Sequence, residues 1–164
     1  MTFGSLRHQI CLNSEYCNLK CSSNEVLVGI SVNFRGQNAG THNLEIQCAS
    51  ANDSNNAINP NRYYNLQALN QENGGVYCSG NDFLVQVASN ARGSNAGVGN
   101  VEAQCAADGK TLYLKNNHNL QCLNQGNCGL YCPNGELVRG WTVNWRGLNK
   151  GTGNLEVQCA QAYR

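Results

Sequence analysis

The chain has 164 residues, a formal net charge of +1, 13% charged and 41% hydrophobic residues. That length supports one domain with a real core, and the near-neutral balance gives a polyanion such as nucleic acid no electrostatic footprint. No apolar run approaches the ~18 residues that a membrane span needs, so no membrane insertion is expected.

Met1-Thr2-Phe3-Gly4 lacks the features of a signal peptide. Asparagine is about one residue in six, which suits turns and a hydrogen-bonding surface rather than helices. After the leading segment Thr2 to Arg7, a short strand is expected around Leu12-Asn13, ahead of Cys21. Val26, Val28, Ile30, Val32 and Phe34 then alternate with Leu27, Gly29, Ser31, Asn33 and Arg35, the period-two pattern of a half-buried strand of about ten residues. A glycine-rich tip, Gly36 to His42, leads into a second strand with Leu44, Ile46 and Cys48 inward and Glu45 and Gln47 outward. The polar connector that follows holds the sequon Asn52-Asp53-Ser54, which makes Asn52 a candidate glycosylation site.

The same order then recurs. A short strand around Leu69-Asn70 precedes the segment Cys78 to Cys105, Thr111 to Leu114 reads as a strand in the next connector, and Leu123-Asn124 precedes Cys132 to Cys159. Each cysteine-framed segment spans 27 positions, and the period is 57 and then 54 residues. The copies run approximately 8–64, 65–118 and 119–164 within a single domain. Because the chain stops five residues after Cys159, copy three reads as short of its last strand, and residues 1–7 are expected to supply it and close the ring.

Ten cysteines allow a pairing argument when the copies are compared. Copies one and three carry an additional pair, Cys11/Cys17 and Cys122/Cys128, whereas copy two has Ala68 and Gly74 at both places. Half-cystines absent together are most simply partners, which gives Cys11–Cys17, Cys122–Cys128, Cys21–Cys48, Cys78–Cys105 and Cys132–Cys159. Zinc at Cys17-x3-Cys21 or Cys128-x3-Cys132 would need four ligands per site and would leave copy two unexplained. No metal or cofactor is therefore expected, and five disulfides place the chain in an oxidising, extracellular compartment.

Three units of four short antiparallel strands, with no helical stripe, predict an all-β fold. The expected form is a disulfide-stapled β-prism of three pseudo-threefold-related four-stranded antiparallel sheets, with a β-trefoil as the alternative. Copy three, with Tyr131-Cys132-Pro133-Asn134-Gly135, Val138-Arg139-Gly140-Trp141-Thr142-Val143, a polar glycine-rich loop and Asn154-Leu155-Glu156-Val157-Gln158-Cys159, resembles the vitelline membrane outer layer protein I family. The resemblance implies a β-prism with several disulfides and admits a chito-oligosaccharide transferring activity. It departs in the loop, which is rich in aspartate in that family and reads Arg-Gly-x-Asn-x-Gly here.

That loop is triplicated: Arg35-Gly36-Gln37-Asn38-Ala39-Gly40, Arg92-Gly93-Ser94-Asn95-Ala96-Gly97 and Arg146-Gly147-Leu148-Asn149-Lys150-Gly151. Planar amide and guanidinium groups close to main chain suit sugar hydroxyls. Arg35, Asn38, Asn43, Arg92, Asn95, Asn100, Arg146, Asn149 and Asn154 are thus the candidate glycan ligands, three equivalent sets able to act by avidity. The bland reading pairs each arginine with a glutamate of the adjacent strand, Glu45, Glu102 or Glu156. Trp141 and Trp145 take core positions equivalent to Ile30/Phe34 and Val87/Ala91. His8, His42 and His118 occupy no matching positions, and no catalytic residue is assigned. The function expected is a secreted, non-catalytic structural or glycan-binding protein of an extracellular coat, with glycans or glycoproteins and self-association as its contacts. A discrete lectin and a glycan-processing enzyme are the alternatives.

Overall fold

A computed structural model of the chain describes residues 1–35, 40–51, 57–92, 97–109, 112–146 and 151–164. Twelve strands are formed among these residues: β1 Leu6–Ser14, β2 Tyr16–Lys20, β3 Glu25–Asn33, β4 His42–Ser50, β5 Pro60–Gln71, β6 Asn73–Tyr77, β7 Phe83–Asn90, β8 Gly99–Asp108, β9 Tyr113–Gln125, β10 Asn127–Tyr131, β11 Glu136–Asn144 and β12 Gly153–Tyr163. They make three four-stranded antiparallel sheets, ordered β1-β4-β3-β10, β2-β7-β8-β5 and β6-β11-β12-β9, here the first, second and third sheets. This is the three-sheet, β-prism-like architecture, not the trefoil.

The hairpins β3–β4, β7–β8 and β11–β12 form where the alternation predicts them, but a bulge between Leu27 and Gly29 shifts the register, so Leu27, expected to face outward, is fully buried in the core. Leu44, Ile46 and Cys48 face inward, and Glu45 and Gln47 are partly exposed. The inward faces of all three sheets meet in one core that includes Ile30, Phe34, Leu44, Leu84, Val87, Trp141, Trp145 and Leu155. A second cluster, with Val26, Phe83, Leu137 and Ala162, closes the end at which β3, β7 and β11 begin.

The short strands differ from the expectation. Leu12-Asn13, Leu69-Asn70 and Leu123-Asn124 are not separate strands but lie one residue from the ends of β1, β5 and β9. Asn13, Asn70 and Asn124 adopt φ of 52°, 56° and 54° there, a left-handed conformation that asparagine tolerates better than most residues. The chain then turns and exchanges sheets: β2 joins β7, β6 joins β11, and β10 returns to β3. Each copy thus lends its short strand to the next, and this exchange closes the ring.

Copy three consequently lacks nothing, because the fourth strand of each sheet opens a copy, as β1, β5 or β9. Tyr113 and Leu114 start β9, whereas Thr111 lies outside the described residues. Of the leading segment, Leu6 and Arg7 belong to β1. The residues before them fasten neighbouring parts: the Met1 amine donates to the Ala162 carbonyl at 3.0 Å, and the Gly4 N–H to the Ser50 carbonyl at 2.8 Å.

Five disulfides join Cys11–Cys17, Cys21–Cys48, Cys78–Cys105, Cys122–Cys128 and Cys132–Cys159, the pairs that the copies imply. The exchange gives them a common role, since every bridge ties a strand of one sheet to the neighbouring sheet. Copy two keeps the geometry of its missing bridge. A Cβ built on Gly74 would stand 3.2 Å from the Ala68 Cβ, a few tenths of an ångström inside the usual separation in a disulfide. The double substitution Ala68→Cys/Gly74→Cys is therefore expected to form a sixth bridge on oxidation. It should stabilise the fold by about 2 kcal/mol, read from chemical unfolding with thiol counting as the control.

Candidate functional site

The sheets' outer faces are built alike, because the outward set of each strand repeats in register. On the first sheet Gly129, Ser31, Glu45 and Ile10 lie side by side across β10, β3, β4 and β1. The matching rows are Asn18, Ala88, Glu102 and Gln67 on the second sheet and Gly75, Thr142, Glu156 and Gln121 on the third. A glutamate thus stands mid-face on each sheet, flanked on its own strand by an asparagine and a glutamine (Asn43 and Gln47, Asn100 and Gln104, Asn154 and Gln158). The three glutamates lie on three different faces, so no two of them can flank one scissile bond in the way paired glycosidase carboxylates do.

Shallow grooves run over two of these faces. One, of about 270 Å³, is lined by Tyr16, Asn18, Gln67, Gln86 and Glu102, among others. The other, of about 290 Å³, is lined by Tyr77, Gln121, Leu123, Asn154 and Glu156, among others. On the third sheet the Tyr77 ring rests on Gly140, where a Cβ would clash with it, and its hydroxyl shares a 2.5 Å hydrogen bond with the Thr142 hydroxyl. Tyr131 covers Gly29 in the same way on the first sheet. Its hydroxyl pKa is raised, chiefly by desolvation and then by Glu45. The second sheet substitutes both members, with Lys20 opposite Gln86. These tyrosines are ring surfaces that the sequence alone does not group; the paired Gly–Tyr substitution between copies is the signal that does.

Asn43, Asn100 and Asn154 have a structural duty. Their side-chain carbonyls accept the backbone N–H groups of Asn13, Asn70 and Asn124 at 2.7, 2.8 and 2.7 Å, which holds the three left-handed residues in place. Asn33, Asn90 and Asn144 do the same for the N–H groups of Arg35, Arg92 and Arg146, forming the Asx turns that open the arginine-glycine loops.

These loops come together at one end of the prism. Gly40, Gly97 and Gly151, with φ near +74°, abut the backbones of Arg92, Arg146 and Arg35, so each loop touches the next around the ring. Asn38, Asn95, Asn149, the intervening loop residues and the sequon at Asn52 lie outside the described residues. The arginines do not pair with Glu45, Glu102 or Glu156. Arg92 meets Glu15 at 2.8 Å and Arg146 meets Glu72 at 2.9 Å, because the strand exchange brings the turns before β2 and β6 against them. The matching position in copy three is Gly126, and it lies beside the Arg35 guanidinium, which has no acidic partner among the described residues.

The remaining candidates fall elsewhere. Trp141 and Trp145 are fully buried, and the Trp141 indole N–H donates to the Glu102 carbonyl at 3.1 Å, so neither ring is a sugar platform. His8 shares a 2.8 Å contact with Glu45 on the first face, His42 is buried, and His118 hydrogen-bonds Glu136. In comparisons with known proteins, no family model and no curated protein matches this chain.

Proposed function

We propose that this protein is a secreted, non-catalytic, glycan-binding component of an extracellular coat or matrix. The observation that carries the reading is the outer-face groove, in which rows of Asn, Gln and Glu side chains lie beside a tyrosine ring on the second and third sheets. Planar amides and a carboxylate offer paired donors and acceptors to sugar hydroxyls, and a tyrosine ring offers an amphipathic surface to a pyranose. Faces of like construction pointing in three directions suit cross-linking of a repetitive glycan, through avidity rather than tight single-site affinity. Five disulfides fit an extracellular protein. The resemblance to the vitelline membrane outer layer protein I family points the same way.

The test is a glycan array followed by mapping of the bound sugar onto the backbone resonances. Perturbations should centre on Glu102 and Glu156 and their row neighbours. Substituting the exposed Gln67→Ala and Gln121→Ala together should weaken binding by about 3–10-fold per site without loss of stability, the value of one hydrogen bond. Perturbations confined to the arginine-loop end, or none with any glycan, would remove the groove assignment. Narrow specificity for one soluble sugar would instead make the protein a discrete lectin. Chito-oligosaccharide turnover abolished by changing one of the three glutamates would make it an enzyme.

A further inference from the structure

The turn that enters each long strand lies over a neighbouring sheet. Cys21, Cys78 and Cys132 donate their N–H groups to the carbonyls of Val85, Arg139 and Val28 at 2.9, 2.8 and 2.8 Å, so these three residues hold one repeated position. On the third sheet that position is an arginine, and Arg139 is only 9% exposed. Its guanidinium donates to the carbonyls of Cys78 at 3.0 Å, Gly80 and Asp82. Desolvation opposes its charge, and the Asp82 carboxylate, itself held by the Tyr64 hydroxyl at 2.8 Å, supports it.

On the first sheet the same position is Val28, and there a pocket of about 300 Å³ stands open. Cys132, Asn134 and Glu136 line it, the counterparts of Cys78, Gly80 and Asp82, and Val28, Ala49 and Phe3 form its apolar wall. The acids of the three turns differ in a telling way. Glu25 is ion-paired with Arg7 at 2.5 Å, and Asp82 supports Arg139. Glu136, with its side chain 9% exposed, is contacted among the described residues by His118, which is a cation only when protonated. A nearly buried carboxylate thus borders an open pocket and has no permanent cation among the described residues.

We infer that this pocket binds a guanidinium group carried on a short alkyl stem. The stem lies along Val28 and Phe3, and the planar head takes the place relative to Cys132, Asn134 and Glu136 that the Arg139 head takes relative to Cys78, Gly80 and Asp82. The volume is at the small end for ligand pockets, which fits a side-chain-sized guest. Two sources share this chemistry: an arginine side chain of a partner protein and a free guanidino compound. The site lies at the end of the prism opposite the arginine-glycine loops and does not depend on the glycan reading.

The experiment titrates the whole oxidised protein with agmatine, with an acetylated and amidated Gly-Arg-Gly peptide, and with cadaverine, following backbone resonances. Agmatine and the peptide should shift Val28, Asn134 and Glu136, with cadaverine at least tenfold weaker. Val28→Arg should fill the pocket from within, as Arg139 does, and reduce binding at least tenfold; Glu136→Gln tests the same point should that variant fold poorly. A peptide at least tenfold tighter than agmatine identifies a protein partner, and equal affinity identifies a free compound. No shift with either probe up to about 10 mM, equal binding of cadaverine, or binding undiminished in both variants overturns the assignment.

Discussion

Replacing His42 by glycine should destabilise the protein by about 3 kcal/mol, and converting two further residues should recover most of that loss. The reason lies where the sheets meet near the loop end. Phe34 packs on Gly153 and Trp145 on Gly99, each so closely that a Cβ on the glycine would fall 2.6 Å from the ring. At the remaining junction the aromatic position is Ala91 and the glycine position is His42. The His42 ring stands edge-on to Trp145 with centroids 5.9 Å apart. Its Nδ1 contacts the Ser14 carbonyl at 2.8 Å and must carry the proton, so its Nε2 accepts from the Ser89 hydroxyl at 2.6 Å. Ser89 itself replaces the valine found at Val32 and Val143 in the other copies.

His42→Gly alone leaves a void and an unpaired serine, which should lower the melting temperature by about 6–12 °C. The triple variant His42→Gly/Ser89→Val/Ala91→Phe restores the arrangement of Phe34 and Gly153 and should regain at least half of the loss. If it unfolds as readily as His42→Gly, the two packing solutions are not interchangeable. The pH dependence gives a second reading. Burial lowers the His42 pKa, partly opposed by the hydrogen bond to Ser14. The unfolded chain therefore takes up the proton first. Stability from this group is full above about pH 6.5 and is lost as pH falls from there through the folded-state value. The triple variant should lack this component of acid sensitivity.

The hairpins and most of their inward faces are legible in the sequence because both signals are local: alternation along Ile30 to Phe34 and Leu44 to Cys48 says which side is buried, whereas before Gly29 a bulge shifts the register and buries Leu27 as well. The disulfide pairs are legible for another reason, that Ala68 and Gly74 replace two cysteines at once. Which sheet a short strand joins is not a local property, since Leu19 is buried on β2 whichever neighbour it meets. That information resides in pairs of positions in different copies: Gly29 with Tyr131, Gly140 with Tyr77, and Gln86 with Lys20. The arginine partners are hidden for the same reason, because Glu15 lies 77 residues from Arg92 and Glu72 lies 74 from Arg146. The buried place of Arg139 was least legible of all. An arginine among valines on an inward-facing pattern finds its carbonyls 57 to 61 residues back, on a turn that arrives only through the strand exchange.

The exchange also decides which disulfide matters most. Cys11–Cys17 and Cys21–Cys48 both tie the first sheet to the second, and Cys122–Cys128 and Cys132–Cys159 both tie the third to the first. The seam between the second and third sheets has Cys78–Cys105 alone. Removing it as Cys78→Ala/Cys105→Ala should cost about 3.5 kcal/mol, the chain-entropy value for a loop of 27 residues. The equal-sized Cys21–Cys48 bridge should cost less in local stability when removed, because Cys11–Cys17 still fastens β1 to β2 across the same seam of the folded protein. Hydrogen exchange should locate the difference. In the Cys78→Ala/Cys105→Ala variant, amides of β6 paired with Gly140 to Asn144 should lose protection before those of β2 or β10. Adding Ala68→Cys/Gly74→Cys to that variant re-staples the same seam and should return about 2 kcal/mol. Equal costs for the two 27-residue bridges, with uniform loss of protection, would mean that the sheets unfold as one unit and that the seam has no separate weakness.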